Sequence, residues 1–137
     1  MDANRQFLAE HDHLSDLGIT VVQQEEGAIT LGLPYDEAFA NPGSRAMQGG
    51  VVATLIDHAG GAALRTTLED PLETPHASTD LNVTFMRPAT GDLTAEAEVL
   101  RAGGSMVVVR VDVTADAPGG KQQVATGRVS LHIDREG

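Results

Sequence analysis

One acidic side chain interrupts a long apolar stretch of this sequence. Asp57 is the only carboxylate between residues 51 and 68, where alanine, valine and leucine predominate. A carboxylate in apolar surroundings is costly to ionise, so Asp57 should have a bonding partner or hold a proton more readily than usual. The second property suits a general base. The structural alternative is a buried aspartate bonded to backbone groups or to Arg65.

A pair of glycines stands just before this stretch. Gly49 and Gly50 lie where a helix should begin, and the first backbone N–H groups of a helix are unpaired and at the positive end of its dipole. Because glycine has no side chain, a carbonyl group can approach these amides closely. The Gly49 amide, with Gln48 beside it, is the first candidate for binding an oxyanion. The alternative is that both glycines only form a tight turn.

Helix geometry separates the two candidate groups. The seven steps from Gly50 to Asp57 span about 10 Å at a rise of about 1.5 Å per residue. One carbonyl carbon cannot contact both ends of that span. If both groups act on one substrate, they must therefore come from different subunits of an oligomer.

The hydrophobic pattern predicts the elements that position these groups. Residues 51–68 should form one helix that is apolar on nearly every side and therefore buried. Residues 4–14 show a weaker helical pattern, and "ITVVQQEEGAITLGLP" is typical of two strands turning at Glu26 and Gly27. After the helix the period changes to two, which predicts four strands with one apolar face each, such as the face of Leu81, Val83 and Phe85.

The predicted elements define an α+β architecture. The strands after the helix are joined by the short glycine-rich turns "RPATGD", "RAGGS" and "APGGK", which favours antiparallel pairing. A sheet with one apolar face needs cover, and the long helix is the element apolar enough to supply it. We therefore expect residues 1–137 to form a single domain of order β-β-α-β-β-β-β, with a short N-terminal helix and a sheet that curls around the long helix.

The composition excludes several classes of function. The chain has 20 acidic and 9 basic residues, and Lys121 is its only lysine. Such a surface repels phosphate backbones and anionic lipids, which argues against nucleic-acid and membrane partners. It is typical of adaptation to high salt, with an ordinary acidic protein as the alternative. The absence of cysteine excludes disulfides and thiolate chemistry, and without a signal peptide or membrane span in the sequence we expect a cytoplasmic location.

Three segments of the chain resemble a known family. They are "QGGVVATLIDHAGGAAL", "STDLNVTFMRPATGDLTAEAEVLRAG" and "VVVRVDVTADAPGGKQQVATGRVSLHI", which together cover most of residues 41–133. They are similar to the signature helix, the following strand pair and the closing hairpin of the hotdog-fold acyl-CoA thioesterases, specifically the phenylacetyl-CoA thioesterase (PaaI-like) branch. The element order predicted above is that of the hotdog fold.

The resemblance implies an activity and a set of site residues. It implies an acyl-CoA thioesterase without metal or other cofactor, assembled as a homodimer or as a dimer of dimers (a homotetramer), with Asp57 as base or nucleophile. Gln48 occupies the position where most relatives have histidine, and Asn41 is the candidate for an asparagine that the family usually has nearby. Ser78 matches a hydroxyl that orients the attacking water. The alternation of the strand instead favours Thr79 as the residue on the helix side, so both remain candidates.

The remaining candidates concern the coenzyme, metals and other functions. For the coenzyme A moiety the available cations and amides are Arg87, Arg101 and the turn of Gly103, Gly104 and Ser105. His58 follows Asp57 but points about 100° away on a helix, which favours a packing or interface role. The "HDH" at residues 11–13 lacks a third metal ligand at a recognisable spacing. The alternative functions are a hotdog hydratase or dehydratase and a non-catalytic acyl-CoA-binding or sensing protein.

Overall fold

The computed structural model describes residues 2–136 of the chain. The chain folds in the predicted order β-β-α-β-β-β-β, preceded by two short helices. The elements are α1 (Ala3–Glu10), α2 (Asp12–Leu17), β1 (Thr20–Glu25), β2 (Ala28–Leu33), a 3-10 turn (Glu37–Phe39), α3 (Gly49–Arg65), β3 (His76–Phe85), β4 (Leu93–Ala102), β5 (Met106–Ala117) and β6 (Gly120–Ile133).

The strands form one antiparallel sheet that packs against α3. The strand order is β1-β2-β4-β5-β6-β3, so that β1 and β3 are the two edges. Helix α3 contacts every strand from β2 to β6, and the core lies between the helix and the sheet. Its fully buried side chains include Leu55, Ile56 and Leu64 of the helix, Leu31 and Leu33 of β2, and Val107, Val109, Val111 and Val113 of β5. The predicted α+β hotdog architecture is confirmed.

The predicted N-terminal helix over residues 4–14 is in fact two helices. His11 has extended backbone angles (φ −109°, ψ 99°) and ends α1. Its Nδ1 accepts a hydrogen bond from the amide of Leu14 at 3.4 Å, which caps the start of α2. The histidine therefore serves as an N-cap at this position, a role that the helical pattern did not reveal.

Helix α3 begins two residues earlier and ends three residues earlier than predicted. The glycine pair forms its first turn, and Gln48 is the N-cap residue. At the other end the hydroxyls of Thr66 and Thr67 donate to the carbonyls of Ala63 and Leu64. The same two carbonyls also accept from the backbone amides of Thr66 and Thr67, so the hydroxyls add second hydrogen bonds in the last turn of the helix.

Strand β3 departs from the expected burial pattern. Its register against β6 places Leu81, Val83 and Phe85 opposite buried residues of β6, so these side chains lie on the predicted, helix-facing side. Nevertheless, Leu81 is 41% exposed and Phe85 is 54% exposed. Because β3 is an edge strand, α3 covers only part of its apolar face. The alternating strands β4, β5 and β6 have the buried inner faces that the pattern predicted.

Candidate active site

A cleft of about 640 Å³ separates one face of α3 from the first residues of β3. The N-terminal helices and the loop before β3 form its other walls. The helix residues that line it follow the spacing of a single helix face, which is why they meet there. They are Gly50, Ala53, Thr54, Asp57, His58, Gly61 and Arg65. The helix is therefore not buried on every side as expected, because Ala53, Thr54 and Asp57 are only partly buried.

Asp57 has a hydrogen-bond partner across this cleft. The hydroxyl of Ser78 at the start of β3 donates to Asp57 Oδ1 at 2.7 Å. The alternative pairing of Asp57 with Arg65 is absent among residues 2–136, since the guanidinium bonds to other groups. The carboxylate thus faces open volume beside a hydroxyl, an arrangement that can hold and deprotonate a water molecule.

A β-bulge decides which hydroxyl reaches Asp57. The register between β3 and β6 shifts between Ser78 and Asp80, so that Ser78 pairs with Leu131 and Asp80 with Ser130. Thr79 is the extra residue, and its hydroxyl donates to the carbonyl of Ser130 at 3.2 Å. The bulge places Ser78 on the same side as the buried Leu131, although simple alternation favoured Thr79. The structure therefore brings Ser78, and not Thr79, to Asp57.

Gly49 lies on a different cavity from Asp57. A second cavity of about 370 Å³ is lined by Gly49, Phe85 and Arg87, among others, whereas Gly50 and Asp57 line the main cleft. A Cβ atom added to Gly49 would lie 3.2 Å from Phe85 Cζ. Within one chain, the candidate oxyanion donor and the candidate base therefore do not face a common space.

Gln48 and Asn41 lie on a loop that leads into α3. The backbone pairs Ala40 with Met47, so that Gln48 N donates to Phe39 O at 2.7 Å on one side of this bridge and Asn41 N donates to Ala46 O at 2.9 Å on the other. The backbone thus does not place Asn41 next to Gln48. The Gln48 side chain instead lies over Gly50, where its Oε1 is 2.7 Å from the position of an added Cβ.

The coenzyme candidates lie at opposite ends of the sheet. Arg87 is the second residue after the end of β3, and its Nη1 donates to Gln123 O at 2.9 Å. The 103–105 turn lies near the first residues of β3, because Ser105 O accepts from Ile133 N and Ile133 pairs with His76. The exposed Arg101 is close to this turn at the end of β4. Within one chain these five residues do not form one site.

A buried basic cluster of Arg65, His76 and His58 at the inner end of the cleft was not predicted from the sequence. Arg65 is 4% exposed; its Nε donates to Asn4 Oδ1 at 2.8 Å and its Nη1 lies 3.1 Å from His76 Nε2. His76 Nδ1 lies 2.8 Å from the carbonyl of Thr74, so we assign the proton to Nδ1 and the acceptor to Nε2. The spacing of His58 and Arg65, seven residues apart on one helix face, was the signal for this cluster.

Burial controls the protonation of this cluster. It lowers the pKa of His58 to about 3, with smaller contributions from the positive charges of Arg65 and His11. Burial also lowers the pKa of His76, where the charge of Arg65 acts in the same direction and the bond to Thr74 opposes it. The pKa of Arg65 falls to about 10 for the same reason. At neutral pH both histidines are therefore neutral and Arg65 remains charged.

Neither a metal site nor a membrane span is found within residues 2–136. No group of three or more potential ligands is close enough to hold a metal ion there. His11 and His13 line the cleft, and the ring of His11 stacks on Phe7 with centroids 5.9 Å apart. No helix in this part of the chain has both the length and the apolar character needed to cross a bilayer.

Comparison with known proteins identifies the family. The thioesterase superfamily model matches residues 46–120, more than half of the chain. A candidate esterase of Halobacterium salinarum is 41% identical over 95% of this chain and 89% of its own length. The human protein acyl-coenzyme A thioesterase 13 is 32% identical over 84% of this chain and 79% of its own length.

A solved structure supports the fold assignment. The E. coli PaaI protein from the phenylacetic acid degradation operon superimposes with a TM-score of 0.81, at 21% identity, over 93% of this chain and 88% of that one. The structural likeness, the family match and the identity to the human relative confirm the resemblance inferred from the three sequence segments. The chain belongs to the thioesterase superfamily and is a thioester hydrolase with the PaaI-like hotdog fold.

Proposed function

We propose that the protein hydrolyses acyl-CoA thioesters to the free acid and coenzyme A, with Asp57 as the group that activates water. The observation that carries this proposal is the 2.7 Å bond from Ser78 Oγ to Asp57 Oδ1 at the wall of a 640 Å³ cleft. The name of the human relative supports the choice of acyl-CoA as substrate.

The proposed reaction is an addition followed by an elimination. Ser78 donates to Asp57, so its oxygen lone pairs are free to accept from a water molecule. Asp57 removes a proton from that water as the water oxygen bonds to the thioester carbonyl carbon, and backbone amides stabilise the oxyanion. The C–S bond then breaks, and the proton held by Asp57 passes to the departing thiolate. The products are a carboxylic acid and the thiol of coenzyme A.

In the alternative mechanism, Asp57 attacks the thioester carbonyl carbon directly. It would form a mixed anhydride between the acyl group and Asp57, which water would then hydrolyse. In a single turnover in H₂¹⁸O, isotope in the Asp57 side chain would demonstrate the anhydride route with hydrolysis at the aspartyl carbon. Unlabelled protein with labelled acid would exclude hydrolysis at the aspartyl carbon.

A two-fold pairing of β3 with its copy would assemble the complete site. Such pairing of one edge strand with itself is antiparallel, so the end of β3 near Phe85 would lie beside the start of β3 in the partner. The Gly49 amide of one subunit would then approach Asp57 and Ser78 of the partner subunit. The same pairing would bring Arg87 towards the 103–105 turn of the partner subunit, which unites the two groups of coenzyme candidates. The exposed apolar side chains of Leu81 and Phe85 would become covered.

The first test measures thioester cleavage directly. Purified protein is incubated with acyl-CoA thioesters and a reagent that detects free thiol. The isosteric substitution Asp57→Asn should lower kcat by about 10²- to 10⁴-fold, because the amide cannot accept the proton. Ser78→Ala should have a smaller effect, since it removes only an orienting group. Equal rates for wild type and Asp57→Asn would refute the role of Asp57. Binding of acyl-CoA without turnover by wild type would instead identify a non-catalytic binding protein.

A complementation experiment tests the division of the site between subunits. Gly49→Pro removes the amide proton, and proline is tolerated at the first position of a helix; Gly49→Ala retains the proton and is the matched control. Gly49→Pro and Asp57→Asn should each be inactive alone. After equal mixing with subunit exchange, half of the dimers are hybrids with one intact site, so about a quarter of wild-type activity should return. No recovery in verified hybrids would place both groups within one chain.

A further inference from the structure

The inner end of the cleft contains a positive charge without a counter-charge. None of the carboxylates in residues 2–136 forms an ion pair with Arg65, and its Nη2 atom is buried without a hydrogen-bond partner in that part of the chain. An unpaired buried cation is costly, and a buried donor without a partner adds to that cost. Arg65 is one of the residues that line the cleft.

The surrounding residues hold the guanidinium in a fixed place. Asn4 and His76 each bond one side of it, and the ring of Phe7 lies over Arg65 Cζ at 4.0 Å. A Cβ atom added to Gly61 would lie 3.3 Å from Nη1, so the guanidinium folds back over Gly61 towards His58. The charge is therefore preorganised, and these neighbours leave the hydrogen-bond donors of Nη2 unused.

A second polar atom without a partner lies on the same wall. His58 lines the cleft, is 8% exposed, and its Nε2 has no hydrogen-bond partner within residues 2–136. The rings of His58 and Phe7 are 5.6 Å apart, which places the imidazole beside the ring that covers Arg65. Two buried nitrogen atoms without partners in one cavity indicate a polar group that arrives with the ligand.

We infer that the inner end of the cleft binds a carboxylate at the far end of the acyl chain, so that the substrates are thioesters of dicarboxylic acids. A guanidinium binds a carboxylate through two parallel charge-assisted hydrogen bonds, and this would neutralise the charge of Arg65. The inference rests on the proposed function, because it requires the thioester to lie near Asp57.

The helix sets the length of the acyl chain that fits. The guanidinium lies over Gly61, which is four steps along the helix from Asp57. These steps span about 6 Å along the axis. A carboxylate bound to Arg65 and a thioester carbon near Asp57 are thus joined by a short spacer of a few carbon atoms. Glutaryl-CoA and adipyl-CoA are the probes of this length.

The principal test compares matched substrates of the wild-type enzyme. The kcat/KM for glutaryl-CoA should exceed the values for pentanoyl-CoA and for the monomethyl ester of glutaryl-CoA by about tenfold or more. Only glutaryl-CoA carries a carboxylate at the far end of its acyl chain. An equal rate for the methyl ester, or a preference for pentanoyl-CoA, would overturn the inference while leaving thioesterase activity intact. If no thioester in the panel is cleaved, the proposed thioesterase function itself is refuted. This result differs from cleavage without a preference for glutaryl-CoA, which refutes only the inference about the carboxylate.

Substitutions of Arg65 and His58 test whether these residues cause the preference for glutaryl-CoA. Arg65→Met should remove the preference for glutaryl-CoA and retain cleavage of pentanoyl-CoA, whereas Arg128→Met, an exposed arginine on β6, should change neither rate. A similar loss on both substrates in folded Arg65→Met would indicate a role in binding coenzyme A or in structure, and would refute the inference. Because Arg65→Met also removes the donor to Asn4 Oδ1 and to His76 Nε2, His58→Leu provides a second variant. It should lower the preference for glutaryl-CoA without lowering the rate on pentanoyl-CoA.

Discussion

At the scale of single residues, the neutral state of buried His58 links the stability of the protein to pH. Its pKa is about 3 in the folded protein and 6.5 in the unfolded chain. Between these values the unfolded state binds the proton more strongly, so the contribution to stability is complete above pH 6.5 and is lost as the pH falls towards 3. His76, whose pKa is also lowered, acts in the same direction.

We therefore predict acid destabilisation that depends on His58. Between pH 6.5 and pH 4 the free energy of unfolding should fall by about 3 kcal/mol on account of this residue. His58→Leu should remove that part of the pH dependence in urea unfolding curves. His132→Gln alters an exposed histidine and should leave the dependence unchanged. Identical pH slopes in wild type and His58→Leu would contradict the assignment of a neutral His58.

The same scale shows why some candidate site residues could be predicted from the sequence and others could not. Asp57 could be identified because it is a carboxylate within an apolar helix, and Gly49 because it is a glycine at the start of that helix. Ser78 could be chosen over Thr79 only by the resemblance, since a bulge is not visible in the alternation of residues. The role of Arg65 depends on Asn4 and His76, which are 61 and 11 residues away in sequence. Such a cluster is determined by tertiary packing and has no local pattern.

At the scale of elements, the close approach of α3 to the sheet depends on Gly60. A Cβ atom there would lie 2.7 Å from the Cβ and Cγ2 atoms of Val129 on β6. Gly60 and Val129 are both buried, and Val129 lies on β6, an interior strand of the sheet. The helix cannot accept a larger residue at this point unless it moves away from the strand.

This contact leads to a prediction for stability. Gly60→Ala should destabilise the protein by about 1–3 kcal/mol, because overpacking outweighs the better helix propensity of alanine. Gly104→Ala is the control, since an added Cβ there meets nothing within 4 Å. Urea unfolding measures both changes. A stability gain in Gly60→Ala would mean that the helix and β6 separate at little cost.

The elements themselves were predicted with unequal success for a physical reason. Strands β4, β5 and β6 lie inside the sheet, where α3 covers one face, so their alternation reports burial directly. Strand β3 has the same alternation, but the cover for Leu81 and Phe85 is missing within one chain. The N-terminal helices were merged because the pattern of apolar residues continues across His11, whereas the backbone does not. Sequence periodicity thus predicts which face is apolar, and it does not specify what covers that face.

At the scale of the whole molecule, the exposed face of β3 predicts the state of assembly. Leu81→Asp would place a charge in the proposed subunit interface, so we expect dissociation to monomers and loss of thioesterase activity together. Leu100→Asp is the matched control, because Leu100 is 42% exposed and lies on β4 instead of β3. Analytical ultracentrifugation measures the mass of each variant. A homotetramer in the wild type that gives dimers in Leu81→Asp would indicate that β3 joins the dimers and not the subunits within them.

The net charge of −11 predicts a response to salt. Repulsion among surface carboxylates opposes the compact state, and raising KCl from about 0.1 M to about 1 M shortens the screening length from about 10 Å to about 3 Å. The free energy of unfolding in urea should therefore rise over this range, and the rise should shrink at a pH low enough to neutralise the carboxylates. A stability that is flat in KCl at neutral pH would favour the ordinary acidic protein.

The bulge at Thr79 also has a consequence for how the molecule tolerates sequence change. The bulge shifts the alternation of side chains by one residue. His76 and Ser78 before it therefore point to the same side of the sheet as Leu81 and Val83 after it. If the strand kept Thr79 but lost the bulge, strict alternation would turn Ser78 away from Asp57. Deleting Thr79 would instead leave Ser78 opposite Leu131 and Asp80 opposite Ser130, so Ser78 would still face Asp57. The bulge at Thr79, whose hydroxyl bonds to the carbonyl of Ser130, thus lets the strand contain one additional residue while His76 and Ser78 keep the same orientation as Leu81.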